Sequence, residues 1–379
     1  MRARLCVASV ALLLLPFPAI LAQTAIPTGT AMTDREQAEL RGPVKTVVAE
    51  QTTTFADGRS FVSKGTTDYS PDGRLLQLRY SNPDGSEWFK TYRYSVDGRL
   101  IKISSGQDGR DSFLYETYLY DEANRLIATK SNGEELIHYE YGKDGSKTMT
   151  ESYPAIRLSP EVVHATHWEG TDLGFTSLPG GKAVTSYNEG GVASGAKFYN
   201  ATGELVGHIE RDFDAKGHIL SERQIADSPS LLVPEQLRGK LNQEQVKSVG
   251  MFIAVGMGNW GNSYTYDKQG RVIEIRKTGG AIGEQVTAIA YNEYGDPSSQ
   301  TSTALGNPAL RQEYGLSDSG AMVPVGSTPA AEPPRTHEMR YDYEYDAHGN
   351  WVRQSMSVRS EEGGAFTQQE IHKRNLTYY

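Results

Sequence analysis

The chain has 379 residues, a formal net charge of −9, and 22 tyrosines against 10 phenylalanines. Its single cysteine, Cys6, lies in the N-terminal apolar run, so the rest of the chain cannot form disulfides or use thiol chemistry. Acidic residues outnumber basic ones and no basic block stands out, which argues against nucleic acid as a partner.

Residues 1–22 have the pattern of a secretory signal peptide, with two arginines ahead of an apolar run over Leu5–Leu21. Pro16 and Pro18 interrupt that run, which is already short for a bilayer span, so cleavage near Ala22 is favoured over an uncleaved anchor. Loss of the two arginines changes the formal charge from −9 to −11. We therefore expect a secreted or periplasmic protein with no membrane span after signal cleavage.

Four further segments follow from composition and pattern. Residues 23–39 are small and polar and predict a flexible lead. Two repeat-rich β regions, 40–226 and 263–379, flank an insertion at 227–262 whose pattern is helical and then glycine-rich. Within the second β region, residues 317–336 are rich in Pro, Gly, Ala and Ser and predict a loop.

The insertion contains the one predicted helix. Leu237, Leu241, Val246 and Val249 recur near helical spacing, and Pro234 suits a first helical turn. We expect a helix over Pro234–Val249 that covers an open edge of the sheet, because exposed edges invite aggregation.

A short motif recurs nine times, as an aromatic residue followed four positions later by Gly or Asn. The aromatic residues are Tyr69, Tyr94, Tyr120, Tyr141, Tyr199, Phe213, Tyr266, Tyr291 and Tyr345. The turn residues are Gly73, Gly98, Asn124, Gly145, Gly203, Gly217, Gly270, Gly295 and Gly349. Such a residue tolerates positive φ and closes a type I turn with a bulge. Asp or Asn directly after the aromatic can bond the turn amides.

The flanking pattern predicts strands. Aromatic and polar residues alternate before the turn, as in Tyr343-Glu344-Tyr345, and an apolar residue such as Leu75 or Trp351 follows it. Four of the eight gaps between neighbouring copies are 21 to 26 residues, and three larger gaps of 53 to 58 residues predict degenerate copies or insertions. The prediction is an all-β fold of antiparallel hairpins, forming a large curved sheet or open barrel with one short helical insertion.

The motif resembles the YD repeats of the rearrangement-hotspot (Rhs) family. The resemblance rests on the Tyr-Asp-x-x-Gly-Arg-Leu core as it stands at Tyr266–Val272, and nearly so at Tyr94–Leu100, where Ser95 replaces the Asp. It covers the chain from about Phe55 to Tyr345. It implies antiparallel sheets wound into a shell or barrel; some large members enclose a toxin or other cargo and contact carbohydrate or partner proteins. We expect a short secreted member without a toxin domain.

Two groups of possible metal ligands have simpler interpretations. His164 and His167 lack evident further ligands for zinc. Asp342, Glu344 and Asp346 do not have the spacing of a calcium loop, and we interpret them as a solvated strand face opposite the tyrosines. Neither a metal site nor a cofactor is predicted.

Four tryptophans could stack on sugar rings: Trp88, Trp168, Trp260 and Trp351. Trp351 occupies the apolar repeat position and is assigned to the core, whereas Trp88 flanks a turn and is the predicted binding residue. A nucleophile elbow and a phosphate-binding loop are both missing from the sequence, so no catalytic residue is predicted.

The leading hypothesis is therefore an exported, non-catalytic repeat protein, a structural or binding module at the cell envelope or outside the cell, with carbohydrate or a surface protein as partner. One alternative is a small β-shell for a separately encoded cargo or toxin. Another is an envelope enzyme acting on carbohydrate, which would need two carboxylates in a cleft, one with a raised pKa.

Overall fold

A computed structural model describes residues 33–55, 57–81, 85–107, 114–152, 180–233, 238–254, 259–279, 284–306, 314–316, 322–324, 334–359 and 363–379. The predicted signal peptide lies outside these residues. The strands are β1 (Val44–Thr54), β2 (Ser60–Tyr69), β3 (Leu75–Ser81), β4 (Glu87–Tyr94), β5 (Leu100–Gln107), β6 (Leu114–Tyr120), β7 (Leu126–Ser131), β8 (Glu134–Tyr141), β9 (Lys147–Ser152), β10 (Lys182–Tyr187), β11 (Ala193–Tyr199), β12 (Leu205–Phe213), β13 (Ile219–Ile225), β14 (Trp260–Tyr266), β15 (Val272–Gly279), β16 (Glu284–Tyr291), β17 (Pro297–Gly306), β18 (Tyr314–Leu316), β19 (Met322–Pro324), β20 (Arg335–Tyr345), β21 (Trp351–Arg359) and β22 (Thr367–Tyr378).

Twenty of these strands form one antiparallel sheet that closes on itself. Each strand pairs with its neighbours in the chain, β17 pairs with β20, and β22 pairs with β1. The closing register runs from Val44 opposite Tyr378 to Thr53 opposite Glu370. The all-β antiparallel prediction is confirmed, but the sheet is a closed barrel rather than a curved sheet or open barrel. Closure removes both free edges of the sheet.

The strand register separates two faces that continue around the whole barrel. Tyr92, Tyr118, Tyr264 and Tyr343 lie on one of them, and cross-strand pairing connects their positions from strand to strand. Within the described part of the chain, this face also holds the ten strand residues that are polar and buried: Ser105, Glu116, Thr129, Glu151, Thr185, Glu222, Gln224, Gln300, Ser302 and His372. Because closure crowds the side chains that point inward, we identify this buried face as the inner face.

Ion pairs connect neighbouring strands at several places on the outer face. Examples are Lys64 with Glu50 at 3.1 Å and Arg353 with Glu344 at 2.9 Å. The apolar core is divided into three small clusters along the wall, the first around Phe198, the second around Val44 and the third around Ile275. The described part of the protein is therefore held together by a ladder of neighbouring strands.

The described residues before β1, 33–43, are ordered, although the sequence predicts a flexible lead over 23–39. Helix α1 (Asp34–Gln37) has Thr33 as its N-cap, and Thr33 and Glu36 form a reciprocal capping box. Leu40 is buried with Val44 in the second cluster. The lead is ordered over its described part because it has both a cap and an apolar anchor.

The predicted helix over Pro234–Val249 is interrupted, and its second part continues beyond Val249. A 3-10 helix spans Pro229–Leu232, and α2 spans Gln243–Ile253. The side chain of Asn242 accepts from Gln245 N at 2.9 Å and starts α2, so Asn242 interrupts the predicted helix. Residues 234–237 lie outside the described part of the chain. No helix among the described residues is long and apolar enough to span a bilayer.

The loop predicted over 317–336 contains one strand of a small hairpin, β19, and the first two residues of β20. β19 pairs with β18, with Gly315 opposite Val323. Apolar Met322 and Val323 give this short segment strand character despite its Gly- and Pro-rich surroundings. This hairpin and α2 occupy two of the three large gaps between repeat copies.

Candidate functional site

Nine tight turns lie at one end of the barrel, which we call the repeat rim. They span 70–74, 95–99, 121–125, 142–146, 188–192, 214–218, 267–271, 292–296 and 346–350. Eight of the nine predicted copies lie here. The copy at Tyr199 and Gly203 joins β11 to β12 at the opposite end, and Tyr187 with Gly191 is a rim copy that the sequence analysis missed. Its aromatic-to-glycine spacing was detectable, but small Ala193 occupies the apolar position.

Each position of the motif has a role within its own turn. In the turn at 121–125, the Asp121 amide donates to Arg125 O at 3.0 Å, and Asn124 has a φ of 63°. The Asp121 carboxylate accepts from the Arg125 amide and guanidinium, both at 2.8 Å. The bond from the Arg125 amide is the largest of the effects that lower the pKa of Asp121. The acidic residue therefore fixes both the turn and the arginine.

The motif tyrosines connect neighbouring repeats. Five of the hydroxyls donate to the carbonyl oxygen of the residue in the apolar position of the preceding rim hairpin. These bonds are Tyr94 to Leu75 (2.8 Å), Tyr120 to Leu100 (2.9 Å), Tyr141 to Leu126 (2.9 Å), Tyr266 to Ile219 (2.7 Å) and Tyr291 to Val272 (2.7 Å). Burial is the main cause that raises the pKa of these tyrosines, to about 12 for Tyr266. The hydroxyls thus serve as protonated donors between hairpins.

The motif arginines also reach across to the next repeat. Arg74 lies over the ring of Tyr94, Arg99 over Tyr120, Arg125 over Tyr141 and Arg271 over Tyr291, at 4.4 to 5.6 Å from the ring centroids. These are cation–π distances. The Tyr, Asp, Gly, Arg and apolar positions of the motif are therefore all used to build the rim.

The predicted binding residue, Trp88, lies near the opposite end on the inner face. Its ring is 5.6 Å from that of Tyr80, and the Lys90 amine is 5.4 Å from its centroid. Trp260 packs against the first apolar cluster, and Trp351 contacts Tyr343 edge-on at 6.5 Å. Trp168 is outside the described residues, so the four tryptophans do not form one described site.

The acidic residues Asp342, Glu344 and Asp346 are divided between two environments. Glu344 pairs with Arg353 on the outer face, and Asp342 shares that face, as predicted. Asp346 instead turns into the rim and accepts from His348 N and Asn350 N, both at 2.9 Å. Among the described residues, no group of three or more His, Cys, Asp or Glu could hold a metal ion. His164 and His167 are not among them.

The segment Thr33–Pro43 crosses the repeat rim on the inner side, and we call it the rim segment. Asp34 accepts from Leu75 N at 2.7 Å and from the Tyr94 hydroxyl at 3.1 Å. At its other end, Asn350 binds both the amide and the carbonyl of Arg41, at 2.7 and 2.8 Å. The segment therefore joins the first hairpins to the last across the closure between β22 and β1.

A cavity of about 330 Å³ lies between the rim segment and the inner wall, and we call it the mouth pocket. It is lined by Glu36, Ala38, Glu39, Leu40, Arg41, Tyr294, Gly295, Asp296, Gly349, Asn350, Trp351 and Arg374. The Arg374 guanidinium stacks on Trp351, 3.2 Å from the ring centroid. The sequence contains no local signal for this site, because its residues are far apart in the chain.

The charged groups of the mouth pocket have shifted pKa values. Burial lowers the pKa of Arg374 to about 10. Partial burial and then the charge of Asp296 raise the pKa of Glu39. Glu39 also has a φ of 56°, which is uncommon for a residue other than glycine. Such backbone outliers concentrate at functional sites, so this pocket is the strongest candidate site in the described part of the protein.

Comparison with known proteins finds only weak similarity. No family model matches the chain, and no curated protein matches it. A porin-like protein from Bacteroides uniformis aligns at 10% identity and a TM-score of 0.33, over 89% of this chain and 98% of that one. A porin-like protein from Bacteroides vulgatus aligns at 11% identity and 0.22, over 88% and 98%. TcdB2-TccC3 without its hypervariable C-terminal region aligns at 12% identity and 0.24, over 85% of this chain and 19% of that one.

Proposed function

We propose that this chain is an exported, non-catalytic YD-repeat protein that serves as a structural or binding module at the cell envelope or outside the cell. The observation that carries the proposal is the use of the repeat motif. Its tyrosines bond the preceding hairpin and its arginines stack on the next one, as Tyr120 and Arg99 do. A motif committed to joining repeats supports a scaffold rather than a catalytic centre.

The outer face is suited to binding a polar partner from aqueous solution. Charged side chains of both signs pair across strands there, as in Arg223 with Glu210 at 2.7 Å and Arg276 with Glu284 at 2.7 Å. Such a face suits contact with polar macromolecules, that is, carbohydrate or a surface protein. The N-terminal signal pattern supports export to the compartment that holds both.

The test is a pull-down from cell-wall and surface-protein fractions, together with a glycan array, using residues 23–379 and the variant Trp88→Ala. Saturable binding to a glycan that is lost in the variant supports carbohydrate recognition at Trp88. Saturable binding of a surface protein that survives the variant supports a protein partner on another surface. Turnover of polysaccharide, ester or peptide that a point mutation abolishes would contradict the proposal.

A β-shell for a separately encoded cargo is the second candidate, and closure of the sheet favours it. With strands about 4.8 Å apart and tilted by about 40°, a round twenty-stranded barrel is about 40 Å across, measured between backbones. Co-expression with the products of neighbouring genes tests this candidate. The candidate is supported if a protein co-purifies with the barrel and resists protease only in its presence. It is contradicted if protease cleaves that protein equally fast with and without the barrel.

A further inference from the structure

Two charged groups in the mouth pocket lack hydrogen-bond partners within the described ranges. They are the guanidinium of Arg374, which has only its stacking contact with Trp351, and the carboxylate of Glu39. Neither forms an ion pair within 4.0 Å in that part of the chain. Their neighbours differ: Arg41 donates to Gly349 O at 2.8 Å and to Tyr294 O at 2.7 Å.

The remaining charged groups of the pocket limit the class of ligand that it can bind. Glu36 is used by the N-cap Thr33, and one oxygen of Asp296 accepts from the Tyr345 hydroxyl at 2.6 Å. One guanidinium, one full carboxylate and one carboxylate oxygen are therefore available. A simple anion would be repelled by Glu39 and Asp296, and a simple cation by Arg374.

The aromatic rings at the pocket are already in contact with other groups. The Arg374 guanidinium stacks on Trp351, and Tyr294 stacks on Tyr345 at 3.9 Å with Arg41 at 5.7 Å from its centroid. A sugar that stacks its ring would have to displace one of these contacts. Recognition by charge needs no such displacement, and hydrogen bonds between charged groups are roughly twice as strong as neutral ones.

We propose that the mouth pocket binds a small zwitterion of the α-amino acid or dipeptide class. Its carboxylate pairs with the guanidinium of Arg374, and its ammonium group pairs with Glu39 and the free oxygen of Asp296. The volume of about 330 Å³ lies at the lower end of the range for small-molecule sites. This binding is separate from the proposed partner recognition at Trp88, which lies towards the other end of the barrel.

The pH dependence of this binding has a definite sign. Glu39, whose pKa is raised, faces Asp296, Arg374 and Arg41. When Glu39 is protonated it loses its attraction for an ammonium group, so affinity falls as the pH decreases through its pKa. The affinity for a neutral polyol does not depend in this way on the charge of Glu39.

Isothermal titration calorimetry on the purified protein tests the proposal, with alanine, glycylglycine, glucose, acetate and ethylammonium as probes. We expect saturable binding of alanine or glycylglycine and weaker binding of the other three. Arg374→Met and Glu39→Gln should each weaken that binding about tenfold or more. The matched control is Arg353→Met, which removes an outer-face arginine of the adjacent strand, β21. Circular dichroism checks that each variant is folded.

Three results would overturn the proposal. The first is that neither zwitterion binds. The second is that glucose, acetate or ethylammonium binds as tightly as the zwitterions do. The third is that folded Arg374→Met keeps the affinity of the unaltered protein. In the first case the partner pull-down with Trp88→Ala still reports independently on the proposed function.

Discussion

The Tyr94 hydroxyl donates a hydrogen bond of 2.8 Å to the carbonyl oxygen of Leu75, which lies in the preceding rim hairpin. The same hydroxyl is 3.1 Å from the carboxylate of Asp34 in the rim segment. One side chain therefore joins a repeat to its predecessor and to the chain that crosses the barrel mouth.

The variant Tyr94→Phe removes these bonds and keeps the ring under Arg74. We expect the free energy of unfolding to fall by about 1–2 kcal/mol, because the Leu75 carbonyl and Asp34 lose a donor. Tyr115→Phe is the control, since Tyr115 lies on the outer face and is 39% exposed. Denaturant unfolding measures both, and equal values for the two variants would show that the hydroxyl has no structural role.

Substitutions at Gly217 measure the cost of positive φ in a rim turn without a change in side-chain packing. It has a φ of 87°, and a Cβ at this position would have no neighbour within 4 Å. Gly217→Ala should therefore destabilise the fold by about 1 kcal/mol through backbone strain alone. Gly217→Asn should cost less, because Asn tolerates this conformation and Asn124 already occupies the equivalent position with a φ of 63°.

The control for this pair is Gly190→Ala, at a turn glycine whose φ is not in the left-handed region. Thermal unfolding of the three variants gives the comparison. If Gly190→Ala lowers the melting temperature as much as Gly217→Ala does, loss of glycine itself and not positive φ would explain the effect.

Asn350 holds the rim segment to the last rim turn. It is 3% exposed, binds Arg41 through both its amide and its carbonyl, and donates to the Tyr378 hydroxyl at 3.0 Å. Asn350→Ala leaves these groups without partners, so we expect a loss of about 2–3 kcal/mol. Hydrogen exchange should also become faster in residues 33–43.

The matched control is Asn375→Ala, because Asn375 is exposed on β22. Unchanged exchange in residues 33–43 of Asn350→Ala would mean that Leu40 and Asp34 hold the segment without Asn350.

Local spacing explains how much of this structure the sequence predicts. Tyr266, Asp267, Gly270 and Arg271 fall within one turn, so their pattern specifies the hairpin without knowledge of any other part of the chain. Which turns share an end depends on how many strands lie between them. The turn after Tyr199 is one strand away from the rim turns on either side, so it lies at the opposite end although its motif is the same. The sequence pattern therefore predicts the repeat but not the rim.

The mouth pocket cannot be predicted from local sequence patterns either, because its residues come from distant parts of the chain. Glu39, Asp296 and Arg374 are brought together only when β22 pairs with β1 and the rim segment folds over the wall. Their separation of hundreds of residues gives no local signal. Glu39 is also one of 47 acidic residues, and nothing in its neighbours marks its positive φ.

The inner-face tyrosines predict loss of stability at high pH. Burial raises the pKa of Tyr69, Tyr266 and Tyr341 to about 12, against about 10 in the unfolded chain. A folded pKa above the unfolded value gives stability that is complete below about pH 10 and is lost as the pH rises to 12. In an ultraviolet titration, the tyrosinate absorbance of these buried residues should therefore appear together with the unfolding seen by circular dichroism. Titration of all the tyrosines near pH 10 in a folded protein would contradict this prediction.

The ion pair between Arg211 and Glu222 tests whether the inner face is shielded from water. Their side chains are 9% and 6% exposed and lie 3.1 Å apart, and Glu222 also accepts from Tyr264 at 2.6 Å. Removal of one partner leaves a buried charge uncompensated, so we expect Glu222→Ala to cost about 3–5 kcal/mol.

The same two strands, β12 and β13, provide the control. Glu210 pairs with Arg223 at 2.7 Å on the outer face, where both side chains are well exposed. Glu210→Ala should cost less than about 1 kcal/mol, because water screens an exposed pair. Denaturant unfolding of both variants compares equal chemistry on opposite faces of one hairpin. Equal losses would mean that water reaches Glu222 freely and that the tyrosine face is not the protected side of the barrel wall.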